Sequence, residues 1–320
     1  MSETVDLAAV VPVELEGERL DQVAARLFPD YSRSRLQEWI RRGELRVDGA
    51  QRRPRDKVTA GLELRVGAEL VQAVSWQAEA IDLDIVHEDE EIIVLDKPAG
   101  LVVHPAAGHA TGTLVNALLN HAPALEQLPR GGIVHRLDMD TSGIMVVAKT
   151  LPAHRHLVEQ LQARSVKREY CAVCVGAMTG GGTIDEPIGR HPRQRKKMAV
   201  LAVGGKPAIT HYRVVRRFAH HTQIAVHLET GRTHQIRVHM AHRHYPLVGD
   251  PVYGGRLRIP KGASSQLIEG LRDFPRQALH AESLGLNHPA SGEPVQFDCP
   301  LPQDMLDLLA LLATEDPEHG

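Results

Sequence analysis

The residues best suited to chemistry lie together in one polar loop, GIVHRLDMDTSG at 132–143, just ahead of an apolar run. The loop carries two carboxylates, Asp138 and Asp140, beside the adjacent pair His135 and Arg136. A carboxylate placed in a polar loop between buried strands can act as a nucleophile or as a general base. The loop would serve equally well as a structural turn whose acids cap backbone amides. Position alone therefore does not select a catalytic residue.

Four further segments carry charged or polar residues at high density, two of them with a tyrosine. They read DKPAGLVVH at 96–104, KREYCAV at 167–173, TGRTHQIRVH at 230–239 and GDPVYG at 249–254. Together with HRLDMDTSG, these segments resemble the motifs of the RluA branch of RNA pseudouridine synthases. The resemblance implies an isomerase that acts on RNA.

The resemblance also implies roles for particular residues. The carboxylate of the HRLD motif is the essential catalytic group of that family, and it corresponds to Asp138. Tyr170 corresponds to the tyrosine that packs on the uracil ring, although a strand tyrosine is more often a core residue. Uridine must lose its N1–C1′ bond before C5 joins C1′. The carboxylate would either attack the sugar or remove a sugar proton, and the sequence leaves both routes open.

The resemblance places Arg237 beside Asp138, although the two are far apart in the sequence. A uracil ring and Tyr170 packed over Asp138 would favour its neutral form, which can neither attack nor accept a proton. A guanidinium at hydrogen-bonding distance restores the carboxylate and fixes its orientation. We therefore expect a direct contact between Arg237 and Asp138 in the folded chain.

Other positively charged residues of these motifs are expected to hold RNA. By resemblance, Arg136 fills the gap left when the target nucleotide flips out of its helix. Flipping is required because N1 and C5 of a stacked uridine are inaccessible. The further residues expected to contact RNA around the cleft are His135, Arg232, Lys196 and Lys197.

A second basic region lies nearer the N terminus. Nine Lys or Arg and four Asp or Glu fall within residues 31–57, a balance of +5 in a chain whose net charge is −3. Its order of helix, Gly43, strand and Asp-Gly turn resembles the S4 RNA-binding domain. This resemblance implies that RNA phosphates contact Arg33, Arg35, Arg41 and Arg42. The alternative is an ordinary solvated helix face.

These patterns predict an α+β protein with two domains. We expect a small S4-like RNA-binding domain at 12–72, a linker at 73–80 and a pseudouridine synthase catalytic domain at 81–315. Short strands and helices after residue 81 alternate without a regular βαβ rhythm. This pattern favours a mixed, largely antiparallel sheet.

The histidines and cysteines do not form a recognisable metal site. No carboxylate or cysteine completes a zinc pattern for the cluster His234, His239, His242 and His244. The pair Cys171 and Cys174 lies in a predicted strand, where residues three apart face opposite sides. Gly-rich phosphate loops of the common types are also missing from the sequence. We therefore expect neither a metal nor a cofactor.

The chain has only three cysteines, no long apolar stretch and no signal-peptide pattern at its start. We expect a cytoplasmic monomer with no membrane partner. The finer resemblance implies 23S rRNA or a large-subunit precursor as substrate, with targets in the helix 69 stem-loop. This finer resemblance, to one subgroup of the family, rests on the segments FPDYSRSRLQEWI, RRPRDK and HPRQRKKMAV. One position departs from it, since Met139 stands where the subgroup has lysine.

Two other functions remain open at this point. Glycoside hydrolysis would use Asp138 and Asp140, but residues two apart on one loop cannot readily flank a bond from opposite sides. A non-enzymatic S4 RNA-binding or assembly factor would need no catalytic carboxylate at all. Substitution of Asp138 separates this second alternative from an enzyme.

Overall fold

Buried apolar residues form separate cores in two units of the chain, Met1–Ser75 and Trp76–Gly320. The structure is a computed structural model that describes residues 3–29, 31, 33–70, 76–105, 111–194 and 197–317. Within these ranges, none of the helices is long and apolar enough to cross a membrane. The two units are described separately below.

The N-terminal unit packs two helices against a three-stranded sheet. Its elements are β1 (Glu3–Val10), α1 (Leu20–Leu27), α2 (Arg33–Arg42), β2 (Leu45–Val47) and β3 (Glu63–Leu70). The sheet is antiparallel, in the order β1-β3-β2. Leu36, Trp39 and Ile40 of α2 share one helical face and are fully buried. The apolar spacing that predicted both helices is thus the spacing that fills this core.

Two segments extend the units beyond the predicted domain boundaries. Strand β1 pairs along its whole length with β3, so the N-terminal unit begins before residue 12. Trp76 packs against His104 with ring centroids 5.7 Å apart, and the carbonyl of Gln77 accepts a hydrogen bond from Asn116. The second half of the predicted linker 73–80 therefore belongs to the C-terminal unit.

The C-terminal unit is built on one large sheet. Its first strands and helices are β4 (Asp84–Glu88), β5 (Ile92–Lys97), α3 (Leu114–His121), β6 (Ser142–Ala148), α4 (Leu151–Ala163), β7 (Lys167–Val175), β8 (Gly182–Asp185) and β9 (Ile188–Arg190). The later ones are β10 (Met198–Val200), β11 (Ile209–Arg217), β12 (His221–Leu228), α5 (Gln235–His242), α6 (Ser265–Asp273), β13 (Leu279–Asn287), β14 (Pro294–Asp298) and α7 (Gln303–Glu315).

Eight strands of this sheet follow the order β4-β5-β6-β13-β7-β12-β11-β8, and β14 pairs with β13. Only the pairing of β6 with β13 is parallel. The fold is therefore α+β with a mixed, largely antiparallel sheet, as the sequence predicted. Gly143 makes the parallel junction possible: its φ is +118°, and a Cβ there would lie 2.2 Å from the carbonyl oxygen of Ala281.

Helices cover both faces of the sheet, and β7 shows how one strand serves two cores. Tyr170, Ala172 and Cys174 face the core shared with α3, α4 and α5. Cys171 and Val173 face the core shared with α6 and α7. The two cysteines therefore point to opposite faces, as their spacing predicted. The face that carries Tyr170 is the one on which the cleft described next opens.

Candidate active site

Asp138 lies in the loop that enters β6, at the wall of a cleft of about 900 Å³. Its side chain is 18% exposed. The carbonyl of Asp138 accepts a hydrogen bond from the amide of Thr141, which closes the loop into a turn. Asp140 does not line the cleft among the residues described, and its carbonyl is bound by Arg276 instead. Only one of the two loop carboxylates therefore faces the cleft.

Arg237 joins Asp138 to a second, fully buried carboxylate. Its Nη1 donates to Oδ2 of Asp138 at 2.9 Å, so the contact predicted from the sequence is present. Its Nε and Nη2 bind the two oxygens of Asp250 at 2.8 and 2.9 Å. Such a two-pronged contact holds the guanidinium plane in one orientation. Arg237 thus reaches Asp138 from a fixed position on α5.

Asp250 was not identified from the sequence, although it lies within the motif GDPVYG. Its Oδ1 also accepts backbone hydrogen bonds from Val252 at 2.8 Å and Tyr253 at 2.9 Å. Burial alone would raise the pKa of Asp250, but the hydrogen bonds and charge of Arg237 lower it. Asp250 therefore stays ionised and orients Arg237. An Asp followed by Pro at a predicted turn was the available signal.

Lys97, at the end of β5, is a second residue that sequence reasoning missed. It is fully buried, and its Nζ donates to the carbonyls of Pro98, Leu101 and Met139 at 2.6, 3.0 and 2.9 Å. Burial lowers the pKa of Lys97 to about 8, although Asp140 and Asp138 oppose the shift. Because Met139 follows Asp138 directly, this ammonium ties the catalytic loop to the turn after β5.

Tyr170 lies on β7, with 7% of its surface exposed, and it both packs in the core and lines the cleft. Burial raises the pKa of its phenol above the ordinary value, and the charge of Asp138 adds to the rise while Arg168 opposes it. The phenol is therefore protonated at neutral pH. Tyr170 is therefore both a core residue and a residue of the cleft wall, so the two interpretations from the sequence are compatible.

His234 is the third charged or polar group near Asp138. It begins α5 with a left-handed φ of 56°, and its Nε2 lies 3.8 Å from Oδ1 of Asp138. Its Nδ1 shares a 2.8 Å hydrogen bond with the hydroxyl of Tyr253, whose ring lies 5.2 Å from the guanidinium of Arg237. Burial lowers the pKa of His234, so the imidazole is neutral at pH 7. The sequence pointed to His234 only as a possible metal ligand.

The predicted RNA contacts of the cleft fall into different environments. Arg136 is exposed and lines the cleft. Arg232 also lines the cleft but is half-buried, and its Nε donates to the carbonyl of Pro207. Lys197 donates from Nζ to the carbonyl of Val252 at 2.8 Å. Lys196 lies outside the described residues.

His135 lines the cleft, and its imidazole also binds the backbone of β6. Its Nε2 points inward and accepts a hydrogen bond from the amide of Val146 at 3.1 Å. Burial lowers its pKa to about 3, and nearby Arg168 contributes, so the ring is neutral. The neutral imidazole holds the loop of Asp138 against β6, and its contact with RNA stays a prediction.

Of the four arginines predicted to contact RNA from the N-terminal unit, Arg33 is engaged internally. Its Nε and Nη2 donate to the fully buried Asp21 at 3.0 and 2.6 Å, which explains why an acid can be buried there. Arg42 pairs with Glu38 one helical turn away at 2.7 Å. Arg41 is exposed and Arg35 half-buried on the same helix. Arg33 therefore stabilises the unit, and because its side chain is 46% exposed, its contact with RNA stays a prediction.

One group among the described residues has the composition of a metal site. Asp96, His280 and Cys299 place one ligand atom each within 4.8 Å of one another. However, the ring of His280 is already bound to Ser142 on one side and to the Cys299 sulfur on the other. Burial raises the pKa of the Cys299 thiol to about 12, so a metal would have to displace its proton as well as the hydrogen bonds of His280.

Comparison with known proteins identifies the family to which the chain belongs. The model of the RNA pseudouridylate synthase family matches residues 91–242, and the S4 domain model matches residues 18–64. The chain is 62% identical to the ribosomal large subunit pseudouridine synthase D of Pseudomonas aeruginosa, over 98% of this chain and 97% of that protein. The chain belongs to the RNA pseudouridylate synthase family. A synthase D from Escherichia coli is 53% identical over the full length of this chain and 98% of its own.

Solved structures of two human proteins resemble the fold of this synthase. RNA pseudouridylate synthase domain containing 4 superposes with a TM-score of 0.57 and 27% identity, over 73% of this chain and 95% of that one. RNA pseudouridylate synthase domain containing 1 gives a TM-score of 0.53 and 25% identity, over 75% of this chain and 99% of that one. The sequence resemblance and the fold therefore agree, and RNA isomerisation is the chemistry the cleft must explain.

Proposed function

We propose that this synthase converts uridines of large-subunit ribosomal RNA to pseudouridine, with Asp138 as the catalytic carboxylate. The observation that carries the proposal is the chain of contacts at the cleft, in which buried Asp250 orients Arg237 and Arg237 binds Asp138. The full-length relatives named above support large-subunit RNA as the substrate. The glycosidase alternative paired Asp138 with Asp140, and Asp140 does not line the cleft.

Asp138 acts as a carboxylate in either route through the reaction. Arg237 stabilises the ionised form, and its fixed plane aims one carboxylate oxygen into the cleft. In one route this oxygen bonds to C1′ as N1 departs, and in the other it removes the proton from C2′. Tyr170 packs against the uracil ring and excludes water from it. The protonated phenol assists by contact, since phenolate is scarce at neutral pH.

RNA is held mainly by exposed cations. Arg136 occupies the gap left by the flipped nucleotide, and Arg232 binds the neighbouring phosphates together with Lys196 and Lys197. In the N-terminal unit, Arg35, Arg41 and Arg42 of α2 contact RNA away from the cleft. The targets are uridines of the helix 69 stem-loop of 23S rRNA, because a loop presents bases that are already partly unstacked. The enzyme works as a cytoplasmic monomer without cofactor or metal.

The variant Asp138→Asn tests the assignment. We expect it to form no pseudouridine in 23S rRNA, while its Kd for RNA stays within about tenfold of the wild-type value, since it removes no phosphate contact. Asp140→Asn is the matched control, because it makes the same change on the same loop, and it should retain activity. Turnover by Asp138→Asn comparable to wild type would remove Asp138 from the mechanism. Unchanged rRNA in cells lacking the protein would instead favour a non-enzymatic binding factor.

A further inference from the structure

Arg168 is a buried cation beside Tyr170 that the reaction described so far does not use. The two residues are separated by one position on β7, so their side chains lie on the same face of the sheet, and both line the cleft. Arg168 is 7% exposed. Its Nη2 donates to the carbonyls of Leu228 and Glu229 at 3.3 and 3.2 Å, while its buried Nε has no partner.

Among the described residues, Arg168 has no carboxylate within ion-pair distance. The other arginines buried in this unit are paired: Arg237 with two aspartates and Arg276 with Asp304. A buried charge without a counter-charge is costly, because backbone carbonyls replace only part of its hydration. This cost is recovered if negative charge arrives in the cleft during the reaction.

The position of Arg168 indicates which negative charge it meets. Phosphates of an RNA strand lie outside the flipped nucleotide, where the exposed Arg130, Arg136 and Arg164 line the rim of the cleft. Arg168, in contrast, is buried like Tyr170, so a flipped base that packs on Tyr170 would lie nearer to it than the phosphates of the strand would. The uracil base is neutral when bound. It becomes negatively charged only while its bond to the sugar is broken.

We propose, on the basis of the proposed function, that Arg168 is a further catalytic residue that stabilises the departing uracil anion. When the N1–C1′ bond breaks, its electron pair stays with the base and spreads from N1 onto O2 and O4. C1′ meanwhile bonds to Asp138, or C2′ loses a proton to it. C5 then attacks C1′. In the first route this attack breaks the bond between C1′ and Asp138, and in the second Asp138 returns the proton to C2′. The C5 proton leaves and N1 gains a proton, so the net change is isomerisation and Asp138 is regenerated. The guanidinium of Arg168 lowers the energy of the intermediate anion.

Gly231 supports this placement of the guanidinium. A Cβ at residue 231 would lie 2.8 Å from Nη1 of Arg168, so any larger residue there would push the guanidinium aside. Gly231 itself is exposed, and its φ is not left-handed, so neither packing nor backbone conformation explains the absence of a side chain. Gly231→Ala therefore displaces the charge of Arg168 without removing it.

Single-turnover kinetics at saturating RNA test the proposal. Arg168→Met should slow pseudouridine formation by about 100-fold or more, with Kd for RNA changed by less than about threefold. Arg168→Lys should recover part of the rate, and Gly231→Ala should lose part of it. Arg155→Met is the matched control, since Arg155 is exposed on α4 and does not line the cleft. A weaker Kd with an unchanged rate would make Arg168 a phosphate contact and overturn the proposal.

RNA with 5-fluorouridine at the target separates anion stabilisation from structural damage. Fluorine withdraws electrons from the ring, so the departing base depends less on a cation. With the fluorinated RNA, the rate is measured as loss of the fluorinated nucleoside. The ratio of the wild-type rate to the Arg168→Met rate should then be at least about tenfold smaller than the same ratio measured with uridine. Equal ratios would overturn the proposal. If Arg168→Met folds poorly, the same comparison of uridine and 5-fluorouridine made with Gly231→Ala decides the outcome. If wild-type enzyme forms no pseudouridine, the proposed function itself fails.

Discussion

At the scale of single residues, the cleft depends on an arginine shared by two aspartates. Arg237 binds Asp250 through two nitrogens and Asp138 through the third. An ammonium cannot reproduce three hydrogen bonds fixed in one plane. We expect Arg237→Lys to lower the single-turnover rate by about 100-fold or more while the protein remains folded. A rate within threefold of wild type, with a normal circular dichroism spectrum, would contradict this account.

Removing the charge of Arg237 should cost stability as well as activity. Arg237→Met leaves the fully buried Asp250 without its counter-charge, and breaking a buried pair in this way costs about 3–5 kcal/mol. Urea unfolding measures the loss. The double variant Arg237→Met, Asp250→Asn removes the stranded charge, so it should regain part of the stability and none of the activity. Equal stability of the single and double variants would show that the Arg237–Asp250 pair is not coupled.

The lowered pKa of Asp250 gives stability a definite dependence on pH. The folded state binds the proton of Asp250 less readily than the unfolded chain, whose carboxyl has a pKa of about 4. This contribution is therefore complete above about pH 4 and is lost as the pH falls through the lower, folded-state pKa. Asp250→Asn should flatten that acid loss in unfolding free energy measured from pH 2 to pH 6. Asp138→Asn, at a partly exposed carboxylate, serves as the comparison.

At the scale of elements, the turn after β5 and the loop before β6 act as one piece because Lys97 binds carbonyls in both. Since burial lowers the pKa of Lys97 to about 8, raising the pH above 8 converts it to an amine with two N–H groups for three acceptors. Activity should therefore fall above pH 8 as the loop loosens. The same deprotonation removes a buried charge, so this group's contribution to stability rises between pH 8 and the unfolded value of about 10.4.

Lys97→Met provides the check on this expectation. It should be less active at every pH and should lack the alkaline step near pH 8 in the single-turnover rate. Lys149→Met is a suitable control, because Lys149 is less buried and pairs with Glu88. An unchanged alkaline step in Lys97→Met would assign that step to another group.

The sequence predicted best those helices and strands in which buried residues recur at a regular spacing along the chain. α1 and α2 follow from apolar residues at helical spacing, and β7, β11 and β12 from runs of strand-forming residues. The parallel pairing of β6 with β13 could not be predicted, because its partners lie about 140 residues apart and leave no local pattern. β4 begins at Asp84, three residues after the predicted start. The residue at which this first strand of the C-terminal unit begins is thus set by its pairing with a neighbouring strand and not by the local sequence pattern.

The same distinction applies to the site. Asp138 and Arg237 could be paired from the sequence because the resemblance to the family places the two motifs together, and a partly buried carboxylate has a chemical reason to bind a cation. Asp250 and Lys97 could not, since the first is recognised only by its bond to Arg237 and the second only by the carbonyls that surround it. The partner of Arg33 could not be predicted either, because the buried Asp21 that binds it looks, in sequence, like an ordinary surface acid.

At the scale of the whole molecule, the two separate cores predict that the C-terminal unit folds alone. A chain starting at Trp76 should unfold cooperatively and keep its catalytic cleft. It should bind RNA more weakly and with a shallower salt dependence, because it lacks the phosphate contacts that we propose for α2. Fluorescence anisotropy at several salt concentrations measures both quantities. An affinity and salt slope equal to those of the full chain would show that the N-terminal unit does not contact this RNA.

The central position of β13 has a consequence for how the enzyme is made. The strands β4 to β6 form one half of the large sheet, β7, β12, β11 and β8 form the other, and β13 lies between the halves. A growing chain can therefore assemble each half early, as two separate hairpin-rich pieces, but it cannot join them until residues 279–287 have been synthesised. Asp138 belongs to the first half and Tyr170 to the second. The nascent polypeptide thus brings Asp138 and Tyr170 together only after residues 279–287 have been made, when this strand closes the sheet.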